Sequence, residues 1–344
     1  MAKSPFQNDV SPGARWGCRA YVAGHTGLVG SAIRRALEAD ERFELVLRSH
    51  AQLDLTNRVR TRTFFAQEKP ELVVLAAARV GGIAANWQYP YEFIRENLAI
   101  EVNVIDEAFR CGVKRLIFLG SSCVYPRDAP QPLREEYLLT GPLEETNRPY
   151  ALAKIAGLDL CRSLNREYGT TYLSLMPTNL YGPGDNFDRE TGHLVPALIR
   201  RFHEAKMAPE PGNEATGLPS PVVLWGTGAP RRELLHVDDL AAAVHLLAGN
   251  PDWSSLPFDL INIGTGSDCT VAELAETVGR VVGYEGPVAW DSSKPDGTPR
   301  KLLDVSRAHA LGWRAKVGLE EGIAAAYRWY LDAGPGRAVC GEDR

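Results

Sequence analysis

Residues 19–23 form a short apolar run that breaks into Gly24-His-Thr26-Gly27-Leu28-Val29-Gly30, and residues 31–37 then repeat their apolar side chains at helical spacing. Strand, glycine turn and helix in that order open an α/β chain. The glycines let the backbone turn tightly and approach a pyrophosphate, whose charge then rests at the amino end of the helix. A plain βα turn needs fewer glycines. Such a pattern alone is weak evidence of a dinucleotide site, and its bracketing by strand and helix is what gives it weight.

The pattern continues in the same style. Residues 43–47 and 72–77 read as further core strands around a helix over 58–67, and apolar runs without alternation suit a parallel sheet covered on both faces. Helices are expected over 91–110, 151–168, 236–247, 270–282 and 319–331, with strands over 116–119, 172–176 and 260–263. The expected fold is α/β: a Rossmann-type doubly wound parallel sheet with a smaller α/β substrate-binding lobe. Residues 18–180, rejoined by 233–264, make the first domain, and 181–232 with 265–333 make the lobe. Residues 1–17 and 334–344 are expected to be disordered tails, and the glycine- and proline-rich stretch 207–221 has no assigned role. Helix 151–168 spreads apolar residues over more than one side, which predicts a homodimer contact there.

With 344 residues and 44% hydrophobic content the chain can bury a large core. A net charge of −5 supplies no broad basic surface, so nucleic acid is not an expected partner. The longest apolar run, 72–78, falls far short of the ~20 residues of a membrane helix. Residues 1–17 lack an apolar signal core, and the six cysteines have no paired short spacing, so the protein reads as cytoplasmic with reduced thiols. The seven histidines show no metal-ligand spacing.

The chemistry concentrates in Ser121-Ser-Cys123-Val-Tyr-Pro126 and, 29 residues after Ser121, Tyr150-Ala-Leu-Ala-Lys154. Tyr and Lys four apart share one helix face, so an ammonium can favour ionisation of the phenol. Ser121 follows an apolar run and lies at the carboxyl end of a strand, where open α/β sheets bind ligands. Tyr150 alone would be an ordinary residue of a helix start, and Cys123 alone a small buried apolar side chain. Together, behind a dinucleotide loop, Ser121, Tyr150 and Lys154 fit hydride transfer at a carbonyl. Tyr150 protonates the oxygen, Ser121 orients it, and Lys154 lowers the phenol pKa and holds the nicotinamide ribose. An NAD-preferring fold usually has a carboxylate after its second strand. Here Arg48-Ser-His50 stands there and favours the 2′-phosphate of NADPH.

Over about residues 18–333 the chain resembles the extended short-chain dehydrogenase/reductases, and within them the branch that converts GDP-4-keto-6-deoxy-mannose to GDP-L-fucose. The resemblance rests on segments 24–30, 76–82, 120–126, 150–154, 177–182, 193–197, 232–239 and 294–301. It implies 3,5-epimerisation and NADPH-dependent 4-reduction of a GDP-sugar, with Cys123 as base and His193 as acid. A thiol near pKa ~8.5 and an imidazole near ~6.5 can both be tuned to neutral pH. It implies cofactor contacts from Gly24, Thr26, Gly27, Leu28, Val29, Gly30, Arg48, His50, Asp54, Leu119, Gly120, Lys154, Pro177, Thr178, Asn179, Leu180 and His193. Arg201, Trp225, Arg232, Asp296 and Lys301 are the implied substrate contacts. Thr26 and His50 stand where that branch carries arginine, which loosens the preference for NADPH and leaves relaxed use of NADH open. A nucleotide-sugar 4-epimerase or 4-reductase would use the same Tyr150 and Lys154, and a silent NAD(P) sensor would need neither. A 4,6-dehydratase is disfavoured, because Cys123-Val124 replaces its Asp-Glu pair.

Overall fold

The computed structural model describes residues 17–189, 191–207, 221–294 and 296–334. The two tails and the 207–221 stretch lie outside these residues except at their edges. Strand β1 (Cys18–Ala23) passes through the glycine turn into α1 (Leu28–Glu38), followed by β2 (Phe43–Val46), α2 (Arg58–Glu68) and β3 (Leu72–Leu75). A short α3 (Ile83–Gln88), which no apolar periodicity announces, precedes α4 (Pro90–Arg110), β4 (Arg115–Leu119), α5 (Arg148–Tyr168) and β5 (Leu173–Pro177). The chain then forms β6 (Asn179–Tyr181), α6 (Leu194–Met207), β7 (Val222–Trp225), β8 (Arg231–Arg232) and β9 (Leu234–His236), and returns through α7 (Val237–Ala248) to β10 (Leu260–Ile263). It ends with β11 (Cys269–Thr270), α8 (Val271–Val282), β12 (Val288–Asp291), β13 (Arg300–Lys301), α9 (Ser306–Ala310) and α10 (Leu319–Ala333).

Six strands form one sheet in the order β2-β1-β3-β4-β5-β10, and every pairing is parallel. Side chains alternate between its faces. Tyr21, Val73, Leu75, Leu116 and Phe118 pack with α2, α4 and α5 on one side, whereas Ala20, Val22, Leu72, Val74 and Ile117 pack with α1 and α7 on the other. The apolar runs without alternation are therefore the signature of a sheet buried twice. The strand order reverses between β1 and β3, which opens a crevice at their carboxyl ends.

A third core joins Val195, Ile199 and Phe202 of α6, Leu224 of β7, Leu274 and Val278 of α8, and Ile323 and Tyr330 of α10. This smaller body also carries the short sheets β11-β8-β13 and β12-β7, which the sequence pattern does not reveal. One segment expected in the lobe lies elsewhere. Leu303 and Val305 enter one sheet core and Ala308, Leu311 and Trp313 the other, because the chain after β13 crosses back over β10 before α10.

Buried polar side chains fasten these crossings. Asn262 in β10 is fully buried; it receives the Tyr125 hydroxyl at 2.5 Å and donates to Leu133 O at 2.9 Å and Asp304 O at 3.1 Å. Glu233, between β8 and β9, is equally buried and accepts from Gly266 N at 2.7 Å and Leu303 N at 2.8 Å. Gly264 leaves the room this needs, since a Cβ there would lie 2.4 Å from Glu233 Oε1. Glu233→Ala strands both N–H groups and should cost about 2–4 kcal/mol of stability, read as a lower urea midpoint with unchanged m.

Candidate active site

The glycine turn fits a pyrophosphate by the space it leaves. Gly24 has φ +82°, and a Cβ there would meet Ala77 N and Cα at 2.8 Å, while a Cβ on Gly30 would lie 2.0 Å from Gly24 O. No side chain caps α1 at Gly27, so the N–H groups of its first turn, through Leu28, Val29 and Gly30, are left for an anion. Thr26 and Gly27 are exposed at the rim. Past β2, Arg48 pairs with Glu68, donates to Leu47 O at 2.8 Å and lies 5.7 Å over the Phe64 ring. Arg19 binds the same carboxylate at 2.6 Å, so a 2′-phosphate here competes with Glu68 for Arg48. His50 is exposed, and Asp54 accepts from Thr56 N and Oγ1 at 2.9 and 2.7 Å. At the far side of the crevice Pro177 ends β5. Thr178 N donates to Ile263 O at 3.0 Å and Asn179 Nδ2 to Glu233 O at 2.9 Å, and Leu180 continues β6.

Ser121 follows β4 through Gly120, where a side chain would collide with Met176, and it caps a 3₁₀ turn over Ser122–Val124 with Oγ 3.4 Å from Cys123 N. Tyr150 opens α5, edge-on to Phe93 with centroids 6.4 Å apart. Lys154, 2% exposed, donates to Leu119 O at 3.0 Å, and its Nζ lies 4.9 Å from the Phe118 centroid and 5.8 Å from that of Tyr150. The expected lowering of the Tyr150 phenol is corrected here. Burial, with Cys123 and Glu101 nearby, holds its pKa well above the ordinary range. The ammonium meant to lower it is instead paired with the Glu101 carboxylate at 3.2 Å.

Cys123 is 6% exposed. Burial pushes its thiol up, while the Ser121 hydroxyl and the charges of Lys301 and Lys154 pull it down. Lys301, on β13, lines the same small cavity as Cys123, with Glu144 and Arg300. Burial lowers its pKa and Cys123 acts against that. His193 stands just before α6, its side chain 45% exposed and its Nδ1 3.9 Å from Asp185 Oδ1. Asp185 raises its pKa, so the imidazolium is favoured. The His193 loop is reached from the 76–82 segment, where Gly82 N donates to Thr191 O at 3.3 Å and a Cβ on Gly82 would meet Gly192 O at 3.3 Å.

The implied substrate residues belong to the lobe. Arg232 is half-buried, fixed by Thr298 O at 2.6 Å, and sits next to Lys301 through the β8–β13 pairing. Asp296 accepts from Thr227 N and Oγ1 at 2.9 and 2.7 Å. Trp225 is 64% exposed, with Lys294 Nζ 5.6 Å over its ring. Arg200 is held by Glu204 at 2.7 Å and by Phe187 O at 2.9 Å, which leaves Arg201 as the exposed guanidinium of the two, 3.4 Å from Val223 O.

Glu101, Asp185 and Glu233 escape the sequence reading. Glu101 carries a usable signal: a lone acid among Leu98, Ile100, Val104 and Ile105 on a long helix. Asp185 gives none, because aspartate in a Gly-Pro-Gly-Asp-Asn loop reads as turn chemistry.

Residues 20–264 match the NAD dependent epimerase/dehydratase family. The GDP-L-fucose synthase of Escherichia coli (strain K12) is 53% identical over 319 residues, which cover 91% of this chain and 97% of that protein. A GDP-6-OMe-4-keto-L-xylo-heptose reductase from C. jejuni superimposes with TM-score 0.86 at 38% identity, over 94% of this chain and all of the other. A GDP-L-fucose synthetase from Naegleria fowleri bound to NADP gives TM-score 0.79 at 25% identity, over 92% and 94%. The glycine crevice at the strand reversal and the Ser121, Tyr150 and Lys154 set accord with these likenesses, and the chain belongs to the NAD dependent epimerase/dehydratase family.

Proposed function

We propose that this chain epimerises GDP-4-keto-6-deoxy-mannose at C3 and C5 and reduces it at C4 with NADPH to give GDP-L-fucose. The observation that carries the reading is the placement of Cys123. A thiol two residues beyond Ser121 shares a cavity with Lys301 and is coupled electrostatically to Tyr150. A reductase alone needs no such group. The identity to GDP-L-fucose synthase supports the substrate, and the likeness to a structure holding NADP supports the cofactor.

The C4 ketone acidifies the protons on C3 and C5, so one base and one acid on opposite ring faces can invert both centres through enediolates. Cys123 is the base, its thiol raised by burial with Ser121 and Lys301 acting against that, and His193 is the acid, its pKa raised by Asp185. NADPH, when bound, supplies the hydride for C4. Tyr150 gives its phenol proton to the C4 oxygen and Ser121 orients that oxygen. Arg201 and Arg232 suit the pyrophosphate through their planar forks, and Trp225, Asp296 and Lys301 complete the grip on the GDP-sugar. Leu152 on α5 and Tyr91 and Val102 on α4 remain exposed, which supports a homodimer through these helices. The five free thiols among the described residues suit the cytoplasm.

Following NADPH absorbance with GDP-4-keto-6-deoxy-mannose should show oxidation, and NMR of the product should show GDP-L-fucose; a reduced but unepimerised sugar would remove the roles of Cys123 and His193. Cys123→Ser should cut exchange of the C3 and C5 protons by roughly 10²-fold or more, while Tyr150→Phe impairs hydride transfer most. Because His193 must be protonated to act, epimerisation falls as pH rises through its raised pKa. Asp185→Asn should move that fall to lower pH, and an unmoved profile would exclude the pairing. Sedimentation should give twice the 37.7 kDa chain mass.

A further inference from the structure

One buried charge beneath the site has no place in the scheme above. Glu101, on α4, is 1% exposed, and among the described residues neither carboxylate oxygen has a hydrogen-bond partner and the one counter-charge is the Lys154 ammonium at 3.2 Å. The opposing helix is shaped around it. A Cβ on Gly157 of α5 would lie 2.7 Å from Glu101 Oε2 and 2.7 Å from the Phe118 ring, so α5 yields a side chain to admit the carboxylate one turn beyond Lys154.

We propose that Glu101 is a positioning residue for the reductive step: it anchors Lys154 between Leu119 O and the Tyr150 ring and cancels its charge, so that Tyr150 persists as the phenol that protonates the C4 oxygen. An isolated ammonium at this distance would draw the phenol toward phenolate, the form that removes a proton from an alcohol. While Glu101 is ionised the pair is neutral overall, and the phenol form that ketone reduction uses is retained to higher pH. The inference rests on the reading of Tyr150 as proton donor.

The groups that titrate around Glu101 are Lys154, Tyr150 and Cys161 on α5, with Cys123 in the turn after β4 joined to it through Tyr150. Burial raises the carboxyl of Glu101 to about 7, with Lys154 acting against that. The same carboxylate raises the phenol of Tyr150, after burial and Cys123. If the pair served only to offset the burial of Lys154, its removal would cost stability and leave the ionisation of Tyr150 where it is.

The test is Glu101→Gln, which keeps the shape and removes the charge. Phenolate absorbance is titrated in the cofactor-free protein, with Tyr150→Phe and Glu101→Gln/Tyr150→Phe subtracted to isolate Tyr150. Its ionisation should move down by about one pH unit, about tenfold less phenol at a given alkaline pH. The alkaline fall of single-turnover reduction with NADPH should move with it. An unmoved Tyr150 titration overturns the proposal. Should Glu101→Gln fail to fold, Glu101→Asp withdraws the charge by one methylene and should give a smaller shift in the same direction, whereas no shift overturns the proposal equally. The titration needs no substrate, so it reads Glu101 even if the keto-sugar proves not to be turned over.

Discussion

Everything in the site depends on a backbone crowding that only glycine permits. The turn after β1 presses against the chain leaving β3, and α1 starts so close to that turn that a Cβ on Gly30 would overlap Gly24 O. This contact lies where the strand order reverses, so the carboxyl ends of β1, β3, β4 and β5 open onto one crevice. The turn bearing Ser121 and Cys123 then enters the crevice simply by being next after β4, and Pro177 to Leu180 by being next after β5. Parallel pairing fixes which end of each strand faces the ligand.

Around that crevice the fold buries charges to different depths and compensates them unequally. Glu233 spends its carboxylate on backbone N–H groups and ties β13 beside β8, which sets Lys301 next to Arg232. Lys154 is met by Glu101 and a strand carbonyl. Among the described residues Lys301 has no anion in such close contact: the groups acting on it are the Cys123 thiol, Arg232 and, last, the Glu144 carboxylate. The two lysines thus sit in opposite electrostatic settings. One is paired with a carboxylate beside a phenol, and the other acts against the burial that raises a thiol.

Much of this was legible because the core is legible. Buried parallel strands announce themselves as unbroken apolar runs, and Tyr150 and Lys154 share a helix face by spacing alone. What escaped has a physical reason in each case. The short strands β7, β8, β11, β12 and β13 are held by edge pairing rather than by an apolar face, so residues 222–225 and 300–301 carry little pattern. The path of 302–313 back across β10 depends on Asn262, which reaches Asp304 across 42 residues and Leu133 across 129, and on Glu233, which reaches Leu303 across 70, in contacts that no local window contains. The direction of the Tyr150 shift was missed for the same reason: spacing reveals that Lys154 is near the phenol, and only packing reveals that Glu101 is nearer to the ammonium.

That difference bears on the pH range over which the phenol is available. A Tyr and Lys pair can run a carbonyl to an alcohol or the reverse, and their identity does not choose between them. What their surroundings tune is the ionisation of the phenol, and in the proposal above Glu101 of α4 tunes it. Replacing one buried carboxylate on that helix alters the balance without touching a substrate contact. In the same way Asp185, in a neighbouring loop, raises the pKa of His193. The candidate side chains come from the sheet domain and the lobe, and the pKa of each is shifted by burial and by neighbours whose positions follow from packing.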